Sequence, residues 1–121
     1  MIGIGLDTVD VDRFRRLIDR RPGVLDRVFT VGERAHLAKR SDPVPGYAAR
    51  FAAKEAAMKV LGVGIGAVDF TDLEVVTLPS GAPTLATSGR ATTLAANLGI
   101  TSMHLSLTHT DATASAIVFA E

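Results

Sequence analysis

In the stretch "RFAAKEAAMKVLGVGIG", Arg50 to Gly66, Glu55 and Lys59 stand one helical turn apart in a run otherwise rich in alanine. An acid four residues before a base is the favourable order for a pair on a helix. Taken alone, the pair reads as a helix-stabilising contact on a solvated strip, worth roughly a few tenths of a kcal/mol. Two further features point to chemistry instead. Asp7 stands at the end of the apolar run "IGIGLDTV", which reads as a buried strand, and a carboxylate there needs a partner, a metal or water. The glycines that follow Lys59, Gly62 and Gly64 among them, let bare backbone approach a ligand. One acid from a strand end and one from a helix make a reasonable site for a hard cation. Mg²⁺ takes one or two carboxylates and completes its shell with water and substrate phosphates. Lys59 would then offset phosphate charge.

Other candidates carry less. "GIG" occurs at Gly3–Gly5 and Gly64–Gly66, but neither makes a phosphate-binding loop or a dinucleotide fingerprint, so turns or close packing are expected. His104 and His109 bracket "LSLT"; their spacing points them apart, and no third soft ligand is evident for zinc. His109, at the junction of a strand and a turn, is a candidate for phosphate binding or proton transfer. His36 reads as a surface residue on an amphipathic helix. Arg13, Arg15, Arg16, Arg20 and Arg21 read as a solvated face or as a dock for an acidic protein.

These residues need elements to hold them. Val11, Phe14, Leu17 and Ile18 fall on one face of a helix that Pro22-Gly23 ends. Thr30 three residues before Glu33 is a capping-box signature for a second helix. "SDPVPGY" reads as a proline-rich loop, and the alanine-rich helix after it ends at Gly62. That helix has apolar groups nearly all round and is expected to be buried. "DLEVVTL" and "APTLAT" read as strands joined by a turn at Pro79-Ser80-Gly81, followed by a helix stopped at Gly99. In "SMHLSLTH", Leu105 and Leu107 face one way and His104, Ser106 and Thr108 the other; "TASAIVFAE" is the last strand. The order β-α-α-α-β-β-α-β-β predicts an α+β fold with a largely antiparallel sheet packed against helices.

The chain of 121 residues is expected to form one domain, 1–121. Lys plus Arg and Asp plus Glu both number 13, so the balance leaves no footprint of nucleic-acid binding. With no cysteine there is no disulfide framework and no thiolate site. The first ten residues lack the pattern of a signal peptide, no run is long enough to span a membrane, and a cytoplasmic location is expected. A core of small residues buries little area per residue, which favours association into an oligomer.

Three stretches together, "GIGLDTVDVDRF", "RFAAKEAAMKVLGVGIG" and "HLSLTHTDATASAIVFAE", resemble the holo-[acyl-carrier-protein] synthase family, the short single-domain 4′-phosphopantetheinyl transferases. The resemblance runs from first residue to last. It implies transfer of 4′-phosphopantetheine from coenzyme A to a serine of an apo acyl carrier protein, with release of adenosine 3′,5′-bisphosphate. Mg²⁺ is the implied metal, with the choice between it and Mn²⁺ left open. The implied setting is fatty-acid and lipid synthesis or a polyketide or peptide pathway. Asp7 and Glu55 match the family's metal ligands, and Lys59 matches the lysine that contacts the phosphates. The resemblance thus assigns catalysis to Glu55, Lys59 and Asp7, with Glu55, directly or through a bound water, the first candidate for the base and Asp7 the second. Arg50, Lys59, Gly62, Gly64 and His109 match the coenzyme A-binding region, His109 at the 3′-phosphate. Arg13 and Arg20 lie where the family's first helix meets the carrier protein. A homotrimer with sites shared between adjacent subunits is also implied. The turn Gly81-Ala82-Pro83 departs from the family pattern, in which many members have a basic residue between Gly and Pro. A binding module without catalysis, and a metal-dependent phosphohydrolase, are the competing readings.

Overall fold

A computed structural model describes residues 2–121. Strand β1 (Gly3–Asp10) leads into helices α1 (Val11–Arg20), α2 (Val24–Val28), α3 (Val31–Leu37) and α4 (Val44–Leu61). Strands β2 (Leu73–Thr77) and β3 (Pro83–Thr87) follow, then α5 (Gly89–Asn97), β4 (Met103–His109) and β5 (Thr113–Ala120). The α+β expectation holds. There are two antiparallel sheets rather than one: β1-β5-β4 and the hairpin β2-β3. No helix of the described residues is long and apolar enough to cross a membrane.

Local chemistry sets the boundaries. The Asp10 carboxylate caps α1 by accepting from the Arg13 N–H at 2.9 Å. Thr30 and Glu33 form the expected reciprocal capping box on α3. Helix α4 begins earlier than the proline-rich stretch suggested, at Val44, because Pro45 in a first turn has no N–H to lose. It ends on Gly62 in the left-handed region, φ 71°. The short α2 was not foreseen, since five residues leave little periodicity to read.

Helix α4 lies against the inner face of the three-stranded sheet, and twelve of its residues are buried. Small side chains on both surfaces allow this: Ala52, Ala53, Ala56 and Ala57 share one core cluster with Ala116, Val118 and Ala120, and Ala48 and Ala49 share the other with Ala114. The closest approach is at Gly5, where a Cβ would stand 2.0 Å from the Ala56 carbonyl oxygen. No other residue fits there, which answers the purpose of the first "GIG".

The same glycines overturn the expectation that β1 is buried. Gly3 and Gly5 point inward, so the apolar residues between them point out: Ile4 is 56% and Leu6 60% exposed. Strand β1 also continues past Asp7 to Asp10, so Asp7 sits within the strand, on its inner face. A second cluster packs α1, α2 and α3 around aromatic rings, with Phe29 and Tyr47 4.7 Å apart and Phe14 and Phe51 5.3 Å apart.

Candidate active site

The pairing of β1 with α4 brings Asp7 and Glu55 to one cleft of about 400 Å³. Phe14 and Phe51 form part of its apolar wall, and Arg13, Arg16 and Arg20 of α1 stand along its border. Arg16 joins the two arginines expected there because positions 13, 16 and 20 share one face of a helix. Arg15 belongs elsewhere. It clasps Asp42 with two hydrogen bonds, of 3.1 and 2.8 Å.

Lys59 does not serve as the helix partner of Glu55. Its ammonium donates to the Leu6 carbonyl at 2.7 Å and lies 3.3 Å from the Asp7 carboxylate. Glu55 is consequently left to the cleft. Burial, and next the negative charge of Asp7, hold its carboxyl above the usual range, with Lys59 opposing. A divalent cation between the two acids would relieve both penalties. Among the described residues no group of three potential ligands gathers anywhere. Two carboxylates in an open cleft therefore suit a hard cation that keeps water and phosphate oxygens in its shell.

A second cleft, of about 220 Å³, opens at the start of α4 and is lined by His36, Arg40, Arg50, Thr77 and His109, with Gly81 and Pro83 of the hairpin. Arg50 is only 4% exposed, and no carboxylate pairs with it directly, although the charge of Glu33 reaches it. Its contacts are long: 3.4 Å to the Gly46 carbonyl and 3.4 Å to the Thr77 hydroxyl, and its buried Nε has no partner. A guanidinium taken out of water without a counter-charge is costly unless an anion joins it. The cleft has no acidic lining residue. Such a cationic lining suits an anion.

Arg50 and His109 line this cleft together, with His36 and Arg40, which the sequence did not mark as site residues. His36 is half-buried, not a free surface residue. Helical periodicity put it on a face of α3, but nothing in the sequence showed that β2 and α4 would pack beside that face. Gly62 and Gly64 are exposed at the end of α4 and line neither cleft. His104 faces away from both, 3.2 Å from Glu121 on the outer side of the sheet.

Lys54, the middle of "AKE", is fully buried and serves the framework. Its ammonium lies 2.8 Å from Glu33 Oε1 and donates to the carbonyls of Phe70 (3.0 Å) and Leu73. Glu33 also accepts from the N–H groups of Thr30 and Val75. The network ties α3, α4 and β2 together.

Residues 3–116 match the family model of the 4′-phosphopantetheinyl transferase superfamily. A holo-[acyl-carrier-protein] synthase of Frankia casuarinae is 48% identical over 121 residues, covering all of this chain and 98% of that protein. The crystal structure of the holo-[acyl-carrier-protein] synthase of Neisseria meningitidis superposes with a TM-score of 0.90 at 32% identity, over 100% of this chain and 98% of that one. That of Bacillus anthracis, in complex with coenzyme A (3′,5′-ADP), gives 0.80 at 34% identity, over 98% and 95%.

Proposed function

The chain belongs to the 4′-phosphopantetheinyl transferase superfamily, among its holo-[acyl-carrier-protein] synthases, and from that premise we propose that it moves 4′-phosphopantetheine from coenzyme A to a serine of an apo acyl carrier protein, with Mg²⁺ as cofactor. The observation that carries this reading is the meeting of Asp7 and Glu55 in one cleft, with Lys59 on Asp7.

Asp7 and Glu55 would hold the metal, which when bound would supply a Lewis acid to offset charge on the pyrophosphate. Mn²⁺ can take the same oxygen ligands. Lys59, on a rigid helix, directs its ammonium toward the same phosphate oxygens once it exchanges its contact with Asp7 for them. Glu55 accepts the proton of the carrier serine as that oxygen attacks the β-phosphorus, and adenosine 3′,5′-bisphosphate leaves. Arg50 and His109, with Arg40, hold the phosphates at the adenosine end. Arg13, Arg16 and Arg20 receive the acidic surface of the carrier protein beside the cleft. The reaction suits a cytoplasmic enzyme of fatty-acid or related synthesis.

The test is intact-mass analysis of an apo acyl carrier protein incubated with this protein, coenzyme A and Mg²⁺. A gain of one phosphopantetheine, lost on adding a chelator, is the expected outcome. Coenzyme A binding with no gain on any carrier would leave a binding module in place of an enzyme. Coenzyme A cleavage without a carrier would indicate a phosphohydrolase.

The outer face of the three-stranded sheet supports assembly. In register, Ile4 stands opposite Phe119 and Leu6 opposite Ile117, an apolar patch that a lone chain leaves in water. A homotrimer closing over this face, with sites between subunits, is the proposed state. Sedimentation should give three chains per particle, and Leu6→Glu should release monomers. A monodisperse monomer of the wild-type chain would contradict it.

A further inference from the structure

His36 is held in the second cleft in a way that metal, pyrophosphate and carrier docking do not use. Its Nε2 lies 3.4 Å from the Thr77 hydroxyl oxygen, and the same oxygen lies 3.4 Å from Arg50 Nη2. A guanidinium can only donate, so the hydroxyl accepts from Arg50 and is left with its own hydrogen to offer. A neutral imidazole, accepting at Nε2, completes this chain. The charges that act on the ring are those of Arg50, Arg40 and Lys39, while Glu33, one turn back on α3, acts on Arg50. Lys39 and Arg40 follow His36 in the turn after α3, Arg50 faces it from α4, and the His109 ring stands across the cleft on β4. No acid lines this cleft.

We propose that His36 is a phosphate-recognising residue of this cleft, taking one proton from solvent onto Nε2 as a doubly ionised phosphomonoester seats beside Arg50, and returning it when the ligand leaves. The proposal rests on the reading that coenzyme A places its phosphates here. Burial first, then Arg50, Arg40 and Lys39, hold the empty-cleft imidazole below its usual range. A dianion reverses that field and takes over Arg50, freeing the Thr77 hydroxyl to accept from a protonated Nε2. The proton arrives from solvent and only an N–H bond forms. A phosphodiester, with one charge, supplies half as much, so the cleft favours a terminal monoester over a bridging phosphate. With at most one proton taken up, affinity rises by at most about tenfold for each unit that the pH falls toward neutrality.

The full-length protein is titrated with adenosine 3′,5′-bisphosphate at about pH 7.5, with the His36 ring followed by NMR. The resonance is assigned by its disappearance in His36→Gln. The expected result is movement of that ring to its imidazolium position as the ligand binds. In calorimetry, affinity should fall severalfold from about pH 6.8 to 7.8, with a flatter dependence in His36→Gln. Binding with the His36 ring unmoved overturns this inference and leaves the transferase reading standing. No binding of the bisphosphate by the wild-type protein overturns both.

Discussion

Glu55→Gln is expected to leave the chain folded while removing about a hundred- to ten-thousand-fold of the transfer rate, the span general-base loss commonly covers. The amide keeps the shape but neither accepts the serine proton nor balances a divalent cation. Stability should move the other way. In metal-free protein, burial and Asp7 raise the Glu55 carboxyl above its unfolded value. An acid with a raised folded value binds its proton more readily in the native state, so the stability it contributes is present at low pH. That stability is lost as the pH rises from the ordinary carboxylate range through the folded value. Without metal, the wild-type protein should therefore lose stability over that window, and Glu55→Gln should lose less. Thermal unfolding of both proteins in chelator, at about pH 4 and pH 7.5, checks the sign. Mg²⁺ should then raise the wild-type Tm and leave that of Glu55→Gln nearly unmoved. Full transfer activity in the variant would remove Glu55 from the chemistry.

Lys54→Met is expected to cost about 3–5 kcal/mol of folding stability, the penalty of leaving one charge of a buried pair alone. Glu33 and Lys54 are both fully buried, and the Lys54 ammonium also satisfies the Phe70 and Leu73 carbonyls. Methionine fills the volume and supplies none of these donors. Urea unfolding measures the loss, and a change below about 1 kcal/mol would show that the network contributes little. The paired change Lys54→Met with Glu33→Met should recover part of the loss, because no unpaired charge remains. Mg²⁺-dependent transfer by whatever fraction of the single variant stays folded should be near normal, since Lys54 lines neither cleft.

Caps and breakers were legible because they act within a few residues. Thr30 with Glu33, the Pro22-Gly23 break, the Gly62 and Gly99 stops and the turn before β3 all stand where local geometry demands them. The alternation of β4 was equally plain. Strand β1 was misread because its inward positions are glycines. Periodicity finds the apolar side and takes it for the inside, whereas here the helix backbone fills the inside and Ile4 and Leu6 face out. Among the site residues, Asp7, Glu55 and Lys59 were readable as a chemical set, and the family resemblance joined Arg50 and His109 to a phosphate region. Arg40 and His36 carried no such mark.

By itself, then, the sequence determined the element types apart from the short α2, the glycines that end helices, and a set of acids and bases suited to a hard cation and phosphates. Tertiary structure decided who meets whom. It turned Lys59 from its helical neighbour to Asp7, placed Lys54 in a sealed network rather than at the site, and packed β2 against α3 so that His36 joined Arg50. Spacing along one helix constrains only neighbours three or four residues apart. Contacts between residues fifty apart depend on how closely two surfaces approach, and here the missing side chain of Gly5 set that distance.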